Sequence, residues 1–283
     1  MLNSNRFGAN SNRFGVLSTG KSNTVLLLLL LLYILIATDS VLRIKLMDDL
    51  SGAMEVWQSN RLVEAAQMLT LNEKRLVIAA AALHDPRKPL PPKGTVTLHA
   101  DDFADVFGID GQNIYQALKD ASKRLYNRTI RTIYTRRGKP AERNVRWVWM
   151  VEYCKGEGTV VLGFSPGIAP YLTLLHTEFT RYKLKQIGNI GSFYGLRLYE
   201  LCAQFRKAGE RTIPLARLRE MLDLGDKYKR LETLRRRVLE PALKEINKHT
   251  DLNVTMTSVR KGRKVTAFAF DISLDAQLKL KGL

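Results

Sequence analysis

The chain has 283 residues, of which 45% are hydrophobic, and 45 Lys and Arg against 27 Asp and Glu give a formal net charge of +18. That length allows two domains of about 100 residues each with extensions, and the charge excess favours a polyanionic partner. Two cysteines and four scattered histidines make neither a disulfide framework nor a metal-ligand spacing, which argues against a secreted scaffold and against a metal-dependent nuclease site.

Residues 1–46 read as an extension unlike the rest. Asn3–Ala9 (NSNRFGA) recurs almost unchanged as Asn10–Val16 (NSNRFGV). The apolar run Val25–Ala37 has 13 residues, short of the ~20 that span a bilayer. Gly15–Ser22 fits the G-x-x-x-x-G-K-[ST] spelling of a phosphate loop, but the polar residues before it make no buried strand, so the match is set aside. From 47 to 187 we read a first domain. Thr70 and Glu73 form a capping box that opens a helix ending before Asp85-Pro86, and Thr95–His99 reads as a strand. Asp101–Asn127 then reads as helix–turn–helix, with Phe103 and Phe107 inward, a turn at Gly108, and Ile114, Leu118, Ala121 and Leu125 lining the second helix. Strands are expected at Thr129–Thr135, Val145–Tyr153 and Thr159–Phe164, and helices at Phe179–Ile187 and Ser192–Phe205.

From 188 to 283 the pattern recurs as a second domain. Thr212 and Pro214 are expected to open a helix, and Leu218, Leu222 and Leu224 repeat the spacing of Phe103, Phe107 and Ile109. Asp226–His249 reads as an amphipathic helix with an apolar stripe at Leu231, Leu234, Val238 and Ala242. Between Lys227 and Arg237 six cations face one carboxylate, Glu232. Lys229, Arg230, Thr233, Arg236 and Arg237 project away from the stripe, Arg235 lies nearer to it, and Pro241 is expected to end or bend the helix near Glu240. Leu252–Ile272 alternates as a hairpin whose tip carries Arg260, Lys261, Arg263 and Lys264 around Gly262. A basic helix followed by a basic-tipped ribbon grips duplex DNA with the helix in the major groove and the ribbon along the phosphates. The fold class is therefore α+β, two tandem winged-helix domains. In the first of them Gln112, Asn113, Gln116, Lys123 and Arg124 are the candidate groove and phosphate contacts. No catalytic residue, cofactor or metal is expected.

Four segments in order, Val56–Ala80, Asp102–Ile130, Tyr194–Cys202 and Leu234–Asn247, resemble the iteron-binding plasmid replication initiator family. The resemblance implies a bacterial, cytoplasmic, DNA-associated protein that binds direct repeats at an origin, and a dimer that represses its own gene. It also implies recruitment of the host initiator and the replicative helicase, and that Asn3–Val16 is translated repeat DNA. A winged-helix repressor without a replication role is the alternative, and an origin-nicking enzyme a more distant one. No stable membrane partner is expected, although residues 25–37 leave membrane association open.

Overall fold

A computed structural model describes residues 54–275 apart from 110 and 155; the repeat, the apolar run and the phosphate-loop spelling lie outside the described residues. Strand β1 (Glu55–Ser59), α1 (Asn60–Glu64), β2 (Ala66–Gln67) and α2 (Leu71–Ala82) lead into β3 (Thr95–His99), α3 (Ala100–Phe107) and α4 (Gly111–Leu125). Strands β4 (Thr129–Arg136), β5 (Lys139–Arg146), β6 (Val148–Cys154) and β7 (Thr159–Phe164) follow, then α5 (Ala169–Leu172), β8 (Phe179–Lys183) and α6 (Phe193–Ala203). The chain continues through β9 (Glu210–Pro214), α7 (Leu215–Met221), α8 (Leu231–Leu234), a π-helical turn (Arg235–Leu239), α9 (Glu240–His249), β10 (Leu252–Lys261) and β11 (Lys264–Leu274).

One unit occurs twice. The order β3-α3-α4-β6-β7 with sheet order β3-β7-β6 matches β9-α7-α8/α9-β10-β11 with sheet order β9-β11-β10, and every pairing is antiparallel. Each is a helix–turn–helix closed by a three-stranded sheet, a winged helix. The turns agree down to the backbone. Gly108 ends α3 at φ +58, Asp223 follows α7 at φ +51, and the next residue reaches back five positions, Ile109 N–H to the Ala104 carbonyl and Leu224 N–H to the Arg219 carbonyl, both 3.0 Å. A left-handed residue followed by a six-to-one bond and an apolar anchor is a Schellman ending, and it fixes the angle at which the second helix departs. Phe103, Phe107, Leu218, Leu222 and Leu224 are buried beneath it, as their spacing predicts.

Several expectations need correction. Phe179–Ile187 is not one helix: Thr180 and Tyr182 are buried while Arg181 is exposed, β8 pairs along its length with β1, and only Leu184–Ile187 winds into a short 3-10 helix. Its partner lies 120 to 128 residues earlier in the sequence, so only a period of two over five residues signals it. The expected strand Val145–Tyr153 is two strands split at Trp147, which is fully buried and donates its backbone N–H to the Arg128 carbonyl. β5 (KPAERNVR) is too polar to show as a strand and is held by its ladder with β4. Thr212 does not cap a helix: it lies within β9, opposite Ala269, and α7 starts without a side-chain cap. Pro241 does not end its helix. The ring would crowd the Arg237 carbonyl in an α-helix. Instead the preceding turn widens to π geometry, with the Glu240 N–H bonded to the Arg235 carbonyl, and α9 runs on to His249.

A single core runs through both winged units. At their junction lies a buried ionic cluster. Glu200 receives Lys74 Nζ at 2.8 Å and Arg197 at 2.6 Å, all three side chains being fully buried. Gln58 donates to Glu200 and to the Tyr182 hydroxyl, both at 2.8 Å. The other guanidinium arm of Arg197 donates to the carbonyls of Val63 (2.6 Å), Ala65 (3.0 Å) and Met221 (3.2 Å). One side chain on α6 thus bonds backbone from the beginning of the first half and from the end of α7 in the second. Beside it, Arg75 donates to the Ile190 carbonyl at 2.9 Å and lies over the Phe107 ring. These contacts set how the two helix–turn–helix units stand to each other.

Candidate nucleic-acid interface

The second helices of the two units, α4 and α8/α9, are the elements such folds place in a major groove. On α4 the buried residues Ile114, Leu118, Ala121 and Leu125 recur at helical spacing, which leaves the opposite side to solvent. Gln116 is exposed there, bonded to Asp120 at 2.9 Å. Gln112 and Asn113 occupy the first turn of α4, and their side chains lie outside those described. Tyr115, 41% exposed, shows an aromatic face beside them, and its hydroxyl donates to Asp101 at 3.2 Å. The carboxylate of Asp101 pushes the Tyr115 pKa up, so the phenol stays a neutral donor. Lys123 and Arg124 are exposed near the far end of the helix. Arg124 is also tied to the buried carboxylate of Glu73 at 3.2 Å, which Arg128 meets from the other side at 2.9 Å. Glu73 is the acid of the capping box of α2, so the same side chain starts that helix and anchors the end of α4.

In the second unit Arg236 and Arg237 are exposed on the π turn, and Thr233 is half-buried just before it. Lys229 and Arg230 are not on the helix. Arg230 is its N-cap residue, and Lys229 sits in the preceding turn, 3.0 Å from Asp226 with both side chains open to solvent. This turn is built by Arg219 of α7, whose guanidinium donates to the carbonyls of Gly225 (3.0 Å), Lys227 (2.6 Å) and Tyr228 (2.9 Å). Three bonds from one planar fork order a loop with positive φ at Gly225 and Tyr228. Arg235 pairs with Glu240 at 3.2 Å, with both side chains about half open to solvent.

The β10–β11 hairpin closes through Gly262 and Arg263, with φ +61 at the glycine alone, the sign pattern of a type II′ turn. Arg260, Lys261, Arg263 and Lys264 are all exposed at its tip. Its topological counterpart in the first unit, β6–β7, has no comparable run of cations. The positive charge there sits on an additional hairpin, β4–β5, inserted between the second helix and the sheet. That hairpin carries Arg131, Arg136, Arg137, Lys139, Arg143 and Arg146 with Glu142 as its one acid. It turns through Arg137 and Gly138, both at positive φ, as a type I′ turn requires. Arg143 packs over Tyr134 and Arg146 over Tyr126. Neither Arg128 nor this hairpin stood among the expected contact residues, although the dense basic spelling of Arg136-Arg137-Gly138-Lys139 was there to be read.

Among the described residues no group of His, Cys, Asp and Glu could hold a metal ion, and no helix is long and apolar enough to cross a membrane. Residues 55–203 match the family model described as Initiator Replication protein, WH1, and residues 214–272 match Initiator Rep protein, WH2. The chain is similar to a "Replication initiation protein" of Escherichia coli, 26% identical over 80% of this chain and 71% of that protein. It is also similar to the "PI protein" of Escherichia coli, 25% identical over 83% of this chain and 87% of that one. Among solved structures it resembles the Pi initiator protein crystallised in complex with iteron DNA, with a TM-score of 0.70 and 25% identity over 80% of this chain and 99% of that chain.

Proposed function

Because the chain belongs to the Initiator Replication protein family, we propose that it starts replication of a plasmid by binding direct repeats, iterons, in duplex DNA at the origin. The observation that carries this reading is the twofold occurrence of one winged unit in a single chain. Each copy presents an exposed second helix, and Arg197 bonds the backbone of the segment leading into the first copy to that of α7 in the second. We assign 47–187 to the first DNA-reading half and 188–283 to the second. In the second, Thr233, Arg236 and Arg237 enter the groove from the helix, Lys229 and Arg230 approach from the turn before it, and Arg260, Lys261, Arg263 and Lys264 follow the phosphates. In the first, Gln112, Asn113 and Gln116 are assigned to base edges, and Lys123 and Arg124 to the backbone at the other end of α4. Phosphate contacts set register and base contacts set sequence.

The protein acts by binding rather than by cleaving, so supercoiled origin DNA incubated with it and magnesium stays intact. A dimer represses the initiator's own gene, and the bound monomers recruit the host initiator and the replicative helicase. The test is binding of the full chain to duplex DNA from around its gene, against a scrambled duplex, at two salt concentrations, together with replication of a marked circle carrying that DNA. Phased, sequence-dependent binding with replication supports the reading. Binding without replication leaves a winged-helix repressor, and equal, salt-labile binding to both duplexes removes sequence recognition altogether.

A further inference from the structure

The described fold leaves one motif of the chain unused: the heptapeptide repeat near its beginning. Asn3–Gly8 and Asn10–Gly15 are identical over six residues, and the seventh position holds Ala9 in one copy and Val16 in the other. Alanine (GCN) and valine (GTN) codons need differ only at the second base, so one substitution suffices to separate the two copies at that position. Each copy is polar with one large apolar residue, Phe7 or Phe14, and two copies of so short a unit are fewer than stacked repeat architectures need. As DNA the same duplication has a definite meaning. Seven codons are 21 base pairs, about two turns of a duplex with 10–10.5 base pairs per turn.

The fold supplies the matching ruler. One chain carries two second helices in one body, and helices entering successive major grooves on one face of DNA are about one turn apart. With its two second helices in successive grooves, a single molecule would extend over about two turns, the length of one heptapeptide's coding DNA. We infer that the stretch of the gene encoding residues 3–16 is itself a tandem target of this protein, one molecule per seven codons, with neighbouring molecules head to tail on the same face. This rests on the DNA-binding reading given above and names its target. The residues Asn-Ser-Asn-Arg-Phe-Gly then record a base sequence rather than a structural need, and the phosphate-loop spelling that begins at Gly15 is a by-product of the frame. Transcription through this frame crosses sites that the product occupies.

The experiment uses the full chain and two duplexes covering codons 1–18. One has the natural base sequence; the other is recoded with synonymous codons, so that the encoded peptide is unchanged. In parallel, the full chain selects from a library of random duplexes. The inference expects two molecules on the natural duplex, hydroxyl-radical protection repeating at 21 base pairs on one face, and binding at least about a hundred-fold weaker on the recoded duplex, since each mismatched pair weakens a specific site several-fold. The selected consensus should match the codons of Asn3–Gly8. Equal affinity for the natural and recoded duplexes overturns the inference, as does a selected consensus unrelated to the codons, which leaves the initiator reading standing. A selection that enriches no sequence overturns the initiator reading itself.

Discussion

At Arg197 one guanidinium joins a buried carboxylate to three backbone carbonyls in two halves of the protein. Removing it leaves those acceptors without donors and lowers the positive charge next to Glu200. Arg197→Met should destabilise the fold by roughly 3–5 kcal/mol, as for other broken buried pairs, read from urea unfolding. Lys74 is the other cation of this cluster. Burial holds its pKa down at about 8, against 10.5 for an ordinary lysine, although Glu200 pulls the other way. Between those values the unfolded chain binds more proton than the folded one, so stability rises with pH across the window from about 8 to 10.5. Lys74→Met should lack that rise: relative to the variant, the native protein gains stability between pH 8 and 10.5, and a constant difference would contradict the assignment. Cys202 is buried, which pushes its thiol up to about 12. A thiol reagent at pH 8 should label Cys202 only after denaturation, with half-buried Cys154 the faster of the two in the native protein. None of this cluster was legible in the sequence. Gln58 meets Glu200 from 142 positions away, and no local pattern announces a partner at that range.

Among the elements, the helices were the readable part and the polar strands were not. α2, α4 and α6 show capping or apolar spacing within their own length, whereas β5 and β8 exist because a partner strand supplies their hydrogen bonds. The basic helix was legible as an amphipathic segment, but its first turn was not. Lys229 and Arg230 precede the helix because Arg219 holds the chain from Gly225 to Tyr228 in another conformation. The two kinds of arginine should separate in binding experiments. Arg236→Ala or Arg237→Ala removes an exposed cation and should weaken DNA binding while reducing the slope of log K against log salt by about 1. Arg219→Met should weaken binding as well, by loosening the turn, yet leave the slope unchanged; a fall in slope would mean that Arg219 touches phosphate itself.

Over the whole molecule the repeated winged pattern was legible because the burial spacing of Phe103, Phe107 and Ile109 recurs at Leu218, Leu222 and Leu224, even though the residues differ. What could not be read was the asymmetry: the basic hairpin of the first half is an insertion, not the counterpart of β10–β11. A continuous core through both halves predicts one cooperative unfolding transition for residues 54–275 by calorimetry; two resolved transitions would show that the halves fold independently. The manner in which Arg197 grips the two halves has an evolutionary side. Its bonds to Val63, Ala65 and Met221 end on main-chain oxygens, which every amino acid possesses. The join is therefore indifferent to the side chains at those three positions, and ancestral exchange of one half between relatives would keep it intact wherever the backbone path survives and Lys74 and Gln58 still meet Glu200. Target preference can thus drift or recombine half by half, while the spacing between the halves is inherited as a fixed gauge.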